Sequence, residues 1–306
     1  MPEFITPRPK LKQGSRVAIV SPASAAKPEL VEAGRAALAA YGYDPIVMPH
    51  ALDRGPLYYA GTAADRAADI HAAFADPIID GILCTRGGWG SAELLPLLDA
   101  ALIRANPKVF AGYSDHTSLH TFLWNQCQLP TFYAPMVAAD WSNPAGVDHR
   151  TWLSALHAET TWSVGPNDGL RILKPGHAEG RLLGGCLSLL TESLGTPFAF
   201  RLTEPTILFL EDINTKPYQW DRMLNHLRLA GTLDNVSGIV FGDTSANIDP
   251  TERALLEAAC LHALNAFTGP IAIGLKSGHV PQQNRSIPLG AWVTMDEATL
   301  TESSSK

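Results

Sequence analysis

Short apolar runs alternate with longer segments of helical spacing along the first half of the chain. The runs RVAIV, DGILC and KVFAG are bounded by turn residues, which is typical of buried strands. Segments between them, such as PELVEAGRAALAAY and AADRAADIHAAFA, repeat apolar residues at the spacing of an amphipathic helix. Strands that alternate with helices of this length predict crossover connections, a mainly parallel sheet and an α/β fold.

The alternation weakens from about residue 140 to 178 and then resumes with GRLLGG, TILFLED, VSGIVFGD and PIAIGL as predicted strands. We therefore expect two α/β domains. The expected boundaries are an N-terminal domain over residues 1–145, a linking region over 146–178 and a C-terminal domain over 179–306.

Two local predictions are less regular. The segment SAELLPLLDAAL, residues 91–102, favours mostly helix, and AWVTMDEATLTES near the end favours a strand or hairpin. Parallel sheets bind ligands beyond the carboxyl ends of their strands, so the loops after Val20, Thr85 and Tyr113 are the first candidates for a site.

Composition narrows the class of protein. The 306 residues are 46% hydrophobic and 17% charged, which fits a globular protein with a substantial core. The net charge of −7 and the absence of a basic stripe make nucleic acid an unexpected partner. No apolar run approaches the roughly 20 residues of a membrane helix, and no signal peptide is evident.

The cysteines and the missing targeting signals together favour a cytoplasmic protein with no membrane partner. Four cysteines lie far apart with no CxxC pair, so we expect buried free thiols in a reducing compartment. They are Cys84, Cys127, Cys186 and Cys260.

The stretch FAGYSDHTSLH changes from strand to helix at Ser114. A serine at such a junction is most often a helix N-cap. A sharp strand-to-helix turn can equally expose a nucleophile, and the backbone N–H of Asp115 at the helix start could then stabilise an oxyanion. The pattern leaves both interpretations open.

The stretch CTRGGWGS follows another predicted strand. It lacks the Gly-Lys-Ser/Thr of a phosphate loop, and a plain turn explains the glycines equally well. In the functional interpretation, a backbone N–H near Gly88 is the second oxyanion donor, and Arg86 or Trp89 lines the pocket.

Two further strand ends carry candidate catalytic groups. Glu211 and Asp212 close an apolar strand, and His279 lies in a loop rich in glycine and proline after another strand. A serine, a carboxylate and a histidine at strand ends meet the needs of nucleophilic hydrolysis through a triad. Solvated strand ends or helix caps remain the alternative for the two carboxylates.

A metal site is the weaker alternative. His116 and His120 lie four residues apart on one predicted helix, the spacing found in zinc peptidases. Thr117 stands where the glutamate of that motif belongs, and no third ligand is evident nearby. We therefore expect no metal and no other cofactor.

Taken together, these stretches resemble the LD-carboxypeptidase family of serine peptidases, which includes the microcin C immunity hydrolases. The resemblance covers roughly residues 12 to 292. It is carried by GSRVAIVSPAS, YAGTAADRAADIHAAFADPIIDGILCTRGGWGS, AGYSDHTSLH, GRLLGG, LFLEDINTKPYQWDRML and GHVPQQNRSIPLG.

The resemblance implies a Rossmann-like N-terminal domain that carries the nucleophile and a smaller C-terminal domain, with the active site at their interface. By motif position it implies Ser114 as nucleophile, Glu211 as triad carboxylate and His279 as base. The implied oxyanion donors are the N–H groups of Asp115 and of Gly88, and the implied substrate-binding residues are Arg86, Gly87 and Trp89.

The implied reaction is cleavage of an L,D-amide bond that releases terminal D-alanine from murein tetrapeptide during peptidoglycan recycling, by a metal-free homodimer. Four positions depart from the family pattern without touching the triad. Cys186 replaces a usual asparagine, Trp89 a tyrosine, Asn214 an expected glycine and His116 an apolar residue.

Two alternative functions stay open. An immunity hydrolase acting on peptidyl-nucleotides would need an aromatic pocket, for which Trp89 and Trp220 are candidates. A non-catalytic protein that binds a small metabolite between its domains is the alternative from another class.

Overall fold

The computed structural model describes residues 7–245 and 248–303. Its fourteen strands are β1 (Arg16–Val20), β2 (Asp44–Val47), β3 (Gly81–Cys84), β4 (Val109–Gly112), β5 (Thr131–Tyr133), β6 (Ser163–Val164), β7 (Arg171–Lys174), β8 (His177–Cys186), β9 (Thr206–Glu211), β10 (Val236–Gly242), β11 (Ile271–Leu275), β12 (Ile287–Leu289), β13 (Trp292–Asp296) and β14 (Thr299–Glu302). Its α-helices are α1 (Pro28–Tyr41), α2 (Ala63–Ala75), α3 (Ala100–Ala105), α4 (Thr117–Cys127), α5 (His149–Trp152), α6 (Leu187–Ser193), α7 (Pro217–Leu229) and α8 (Arg253–Ala263).

The chain divides into two compact units. Unit 1 comprises Met1–Thr160 and Gln282–Leu289, and unit 2 comprises Thr161–Pro281 and Gly290–Lys306. The α/β class is confirmed in both units.

Unit 1 contains a six-stranded sheet in the order β12-β5-β4-β3-β1-β2. The first five strands of the chain pair in parallel, and β12 pairs with β5 in the antiparallel direction. Strands β3, β4 and β5 are fully buried, as expected for a parallel sheet covered by helices on its faces. Their carboxyl ends therefore lie side by side at one edge of this sheet.

The helices of unit 1 begin and end where local chemistry favours it. Pro28 occupies the first turn of α1, and Gly42 ends that helix in the left-handed conformation with φ of 106°. Thr62 caps α2 by accepting a hydrogen bond from the Asp65 N–H.

The predicted helix over 91–102 is divided in the structure. Ser91–Leu97 forms 3₁₀ turns, and α3 begins only at Ala100. Pro96 lies within the 3₁₀ segment, where it lacks the N–H that an α-helix would need. Asp99 then caps α3 by accepting from the N–H groups of Ala101 and Leu102.

Unit 2 contains an eight-stranded mixed sheet in the order β6-β14-β13-β8-β9-β10-β11-β7. The four central strands β8 to β11 pair in parallel, and antiparallel strands extend the sheet at both sides. The hairpin expected near the end of the chain is the antiparallel pair β13 and β14.

The segment 146–178, which we expected to link two domains, consists largely of secondary structure that belongs to the units. Helix α5 and the turn after it lie in unit 1, whereas β6, β7 and the start of β8 lie in unit 2. The chain also returns to unit 1 near its end, because β12 completes the first sheet. This return depends on nonlocal pairing of three residues, which a local pattern does not reveal.

All four cysteines are buried and unbridged, as predicted. Within the described part of the chain, no helix combines the length and apolar character needed to cross a bilayer.

Candidate active site

Ser114 lies at the turn between β4 and the helical segment that leads into α4. Its backbone has φ of 65°, in the left-handed region that a residue with a side chain rarely adopts. Its N–H donates to the Tyr133 hydroxyl at 3.0 Å, and Tyr133 ends the neighbouring strand β5. The turn is therefore held in a strained conformation by its neighbour in the sheet.

The simple N-cap interpretation of Ser114 is wrong. The helical segment begins at Ser114 itself, and its N-cap is Tyr113, which makes no side-chain capping hydrogen bond. A residue with positive φ at this junction matches the sharp turn that exposes the nucleophile in α/β-hydrolases.

The loop of residues 86–90, here called the glycine loop, packs directly on Ser114. A Cβ atom on Gly87 would lie 2.9 Å from the Ser114 Cβ and 3.0 Å from its Oγ. Gly88 has φ of 110°, and a Cβ there would lie 2.3 Å from the Ser24 Oγ. Only glycine fits these two positions without displacing a neighbour.

The glycine loop is fixed by buried polar contacts. Ser24 accepts from the Trp89 N–H at 3.2 Å. The guanidinium of Arg66 donates to the Gly90 carbonyl at 2.9 Å, and the carboxylate of Asp115 accepts from the Ser91 N–H at 2.8 Å. Arg86 and Trp89 project into solvent from the same loop.

Two backbone N–H groups, one directly after Ser114 and one in the glycine loop, are candidate donors to a ligand. The Asp115 nitrogen lies 3.4 Å from the Cβ position of Gly87. Within residues 7–245 and 248–303, neither the Asp115 N–H nor the Gly88 N–H donates a hydrogen bond to the protein. Such donors are suited to a ligand oxygen that carries negative charge.

Glu211 and His279 form a hydrogen-bonded pair in unit 2. Glu211 ends β9 and is buried, and its Oε2 lies 2.7 Å from the His279 Nδ1. The same oxygen accepts from the His279 backbone N–H at 3.1 Å. In neutral imidazole, an Nδ1–H that donates to this carboxylate leaves the Nε2 lone pair available as a base.

Gly278 permits this pairing. Its φ is 89°, and a Cβ there would lie 2.6 Å from the Glu211 Cδ. Asp212, the other carboxylate at this strand end, accepts instead from the N–H groups of Ser188 and Ile213. Burial raises the pKa of Asp212, and these two hydrogen bonds oppose the shift. Its role is therefore to hold local backbone.

Comparisons with known proteins identify the family. The model of the LD-carboxypeptidase N-terminal domain matches residues 17–134, and that of the LD-carboxypeptidase C-terminal domain matches residues 179–295. The "Probable murein peptide carboxypeptidase" of Bacillus subtilis (strain 168) is 36% identical over 304 residues, which cover 96% of this chain and 93% of that protein. This chain belongs to the LD-carboxypeptidase family.

Solved structures agree with this LD-carboxypeptidase assignment. The muramoyltetrapeptide carboxypeptidase from Oxalobacter formigenes has a TM-score of 0.82 and 25% identity, with 95% of this chain and 99% of that chain covered. The MccF-like protein from Bacillus anthracis str. Ames shares the fold, with a TM-score of 0.87, 24% identity and coverage of 97% and 99%. The predicted family is confirmed, and the chain is a hydrolase of that family.

The histidine pair does not form the metal site weighed from the sequence. The His120 Nε2 lies 2.9 Å from the Gly112 carbonyl, so this nitrogen carries the proton. The Nδ1 lone pair then accepts from the Thr131 hydroxyl at 2.8 Å, which leaves His120 no lone pair for a metal. Burial lowers the pKa of His120 to about 4 and that of His116 to about 3.

A different cluster could ligate a cation, and the sequence did not reveal it. The ligand atoms of His50, Asp53 and Asp65 lie within 4.8 Å of one another, all on partly exposed side chains. The His50 Nδ1 already bonds the Asp53 carboxylate at 2.8 Å. His50 and Asp53 lie three residues apart in one loop, whereas Asp65 lies in the first turn of α2, so the fold is what brings Asp65 to the other two.

Two departures from the LD-carboxypeptidase pattern have a structural explanation. Asn214 has φ of 56°, a conformation that asparagine tolerates better than most residues, so it can replace the expected glycine. Cys186 is buried at the end of β8, with its Sγ 3.4 Å from the Ser188 Oγ. Burial raises the pKa of this thiol well above its usual range, which keeps it protonated and unreactive.

Sequence reasoning missed the residues that support the predicted ones. Tyr133 holds the turn at Ser114, and Arg66 and Ser24 hold the glycine loop, but these three residues come from different parts of the chain. Tyr133 ends β5 at the edge where parallel sheets bind ligands, but nothing in its local sequence marks that position.

Proposed function

We propose that this LD-carboxypeptidase releases terminal D-alanine from murein tetrapeptide by cleaving an L,D-amide bond, as part of peptidoglycan recycling. The proposed triad is Ser114, His279 and Glu211. Relatives named as murein peptide carboxypeptidases support the substrate class.

The observation that carries the proposal is the strained turn at Ser114. Ser114 is partly buried, and a positive φ at a residue other than glycine costs about 1–3 kcal/mol and persists where the surrounding structure enforces it, often at a functional site. The turn also brings the glycine loop against the hydroxyl-bearing carbon, which is the arrangement that an acyl-transfer site needs.

In the proposed mechanism, the Ser114 Oγ attacks the scissile carbonyl carbon while His279 takes the hydroxyl proton at Nε2. Glu211 stabilises the imidazolium through Nδ1–H. The tetrahedral intermediate then collapses, and His279 returns the proton to the amine nitrogen of the departing D-alanine. Water, deprotonated by His279, hydrolyses the acyl-enzyme and regenerates Ser114.

The proposed oxyanion hole consists of the Asp115 and Gly88 N–H groups. Their lack of protein acceptors in the described ranges supports this assignment. Arg86, Gly87 and Trp89 are the proposed substrate-binding residues. The exposed guanidinium of Arg86 is suited to the free carboxylate of a terminal D-residue.

Trp220 is not available to bind the nucleotide base that an immunity-type activity on peptidyl-nucleotides would require. Trp220 is 1% exposed, bonds Thr215 through Nε1 and packs edge-on against Phe241. It is therefore a core residue that cannot stack on a base without unfolding its surroundings. Trp89 alone is 36% exposed.

The first prediction concerns Ser114. Ser114→Ala should lower turnover of murein tetrapeptide by about 10⁴-fold while the protein stays folded, because the nucleophile is lost but the backbone is unchanged. Covalent labelling by a fluorophosphonate should disappear as well. Ser142→Ala is the matched control, since the Ser142 hydroxyl donates to the Ala138 carbonyl at 2.9 Å and has no proposed part in the reaction.

Near-normal turnover in Ser114→Ala would refute the nucleophile assignment. Labelling of Ser114 combined with cleavage of a peptidyl adenylate analogue, and none of the tetrapeptide, would support the immunity-type activity instead. Absence of both labelling and cleavage in the wild-type protein would favour a non-catalytic binding protein.

A further inference from the structure

The side chain of Asp115 is a buried carboxylate that the proposed mechanism does not use. Its residue is 0% exposed. Oδ2 accepts from the Ser91 N–H at 2.8 Å, and Oδ1 has no hydrogen-bond partner within the described residues. Burying a carboxylate costs folding free energy unless hydrogen bonds or an opposite charge compensate for the lost water. The position of this carboxylate next to the proposed nucleophile therefore needs an explanation.

The carboxylate joins two segments that are distant along the chain. Asp115 directly follows Ser114, and Ser91 directly follows the glycine loop. The hydrogen bond therefore fixes the end of the loop that presents Gly88 to the turn that presents Ser114. Rotation or withdrawal of the loop would have to break this buried contact.

Arg66 holds the same end of the loop from the other side. Its side chain is 1% exposed, and Nη1 donates to the carbonyls of Gly90 and Pro22 at 2.9 and 2.7 Å. Nη2 bonds the Glu93 carboxylate at 2.7 Å. Gly90 has no room for a side chain here, because its Cβ would lie 2.6 Å from the Arg66 Nη1.

Asp115 and Arg66 carry opposite charges and contact the same end of the glycine loop. Burial raises the pKa of Asp115, whereas the hydrogen bond from Ser91 and the positive charge of Arg66 act in the opposite direction. The carbonyl of the Gly90–Ser91 peptide group thus accepts from the Arg66 guanidinium, and its N–H donates to the Asp115 carboxylate. Two groups of opposite charge therefore restrict both the position and the orientation of the loop end.

We propose that Asp115 is a positioning residue, whose carboxylate oxygen holds the Ser91 N–H so that the Gly88 N–H stands at the correct distance from the Ser114 hydroxyl. This inference rests on the proposed hydrolase function. Oxyanion donors must meet the developing charge within a few tenths of an ångström, and loss of one donor typically lowers kcat by about 10²–10³-fold. Asp115 therefore acts on the transition state and leaves ground-state binding of the peptide unchanged.

The test compares two substitutions of similar shape. Asp115→Asn keeps an oxygen acceptor for the Ser91 N–H and removes the charge, whereas Asp115→Leu fills the space and removes the acceptor. Asp115→Asn should retain kcat within about threefold. Asp115→Leu should lower kcat about 10²-fold with KM within about threefold, because only the oxyanion donor is displaced.

A second readout does not depend on the peptide. The rate of fluorophosphonate labelling of Ser114 also requires the oxyanion donors, so Asp115→Leu should slow it by a similar factor. Asp99→Ala is the matched control, because Asp99 likewise accepts backbone N–H groups but caps α3. Asp99→Ala should lower the free energy of unfolding without slowing the labelling of Ser114. Each rate is divided by the fraction of protein that is folded.

The inference is overturned if folded Asp115→Leu keeps normal kcat and labelling rates, or if Asp115→Asn loses as much as Asp115→Leu. An effect confined to KM would also overturn it. Failure of the proposed function is distinguishable, since either Ser114→Ala would stay active or the wild-type protein would show neither labelling nor cleavage. Labelling of Ser114 without tetrapeptide cleavage would overturn only the substrate.

Discussion

At the residue scale, Glu211 makes two contacts through a single oxygen. It accepts from the His279 backbone N–H and from its ring, so one buried carboxylate sets both the position of the loop and the tautomer of the imidazole. The side chains of Glu211 and His279 are 3% and 13% exposed. Little water is present to weaken this ion pair when the ring becomes protonated.

Glu211→Gln tests this interpretation. The amide oxygen can keep the geometry, but the negative charge that stabilises the imidazolium is lost, so kcat should fall about 10³-fold or more with KM nearly unchanged. Steady-state kinetics on murein tetrapeptide measure both. Glu204→Gln, which loses only an ion pair with Arg181, should stay within twofold of wild type, and equal kinetics in the two variants would remove Glu211 from the triad.

At the element scale, the glycine loop lies against the turn at Ser114 because three adjacent strands end at the same edge of the sheet. β3 leads into the loop, β4 into Ser114, and β5 supplies Tyr133. The sheet thus places a donor-rich loop, a strained turn and a supporting hydroxyl at one edge. The spacing between loop and turn is small enough that one methyl group matters.

Gly87→Ala should therefore reduce kcat/KM about 10²-fold, because its Cβ would lie 2.9 Å from the Ser114 Cβ and would push the turn or the loop aside. Gly165→Ala is the matched control: its φ of −159° suits alanine, and its Cβ would meet nothing closer than 3.4 Å. Kinetics together with fluorophosphonate labelling report the effect. Unchanged values in Gly87→Ala would mean that the loop does not approach Ser114 this closely.

At the scale of the whole molecule, unit 1 is completed by a segment from near the end of the chain. β12 pairs with β5 through Ile287 and Tyr133, and Ile287 is 0% exposed. The strand that carries Tyr133 would otherwise be an open edge. The homodimer implied by the family resemblance stays a prediction, which the mass of the protein in solution would check.

Ile287→Ala should lower the free energy of unfolding by about 3 kcal/mol, because it leaves a cavity beside the strand that supports Ser114. Ile78→Ala, at a position that is 53% exposed, should change it by less than about 0.5 kcal/mol. Urea unfolding of both variants measures the difference. Equal stabilities would show that β12 contributes little to unit 1.

The sequence by itself determined the α/β class, most strands and helices, and the residues expected to carry the chemistry. These depend on local features: apolar periodicity, turn residues and strand ends leave their mark within a few neighbouring positions. Six stretches of the sequence, taken together, were specific enough to predict the LD-carboxypeptidase family.

Only the tertiary structure decided which residues support those motifs. The hydrogen bonds of Asp115 with Ser91, of Arg66 with Gly90 and of Ser114 with Tyr133 join segments that lie 19 to 24 residues apart. Likewise, only the fold places residues 282–289 in unit 1 and brings the Thr131 hydroxyl to the Nδ1 lone pair of His120. Contacts between distant segments leave no periodic pattern in one sequence, because each partner is locally an ordinary residue.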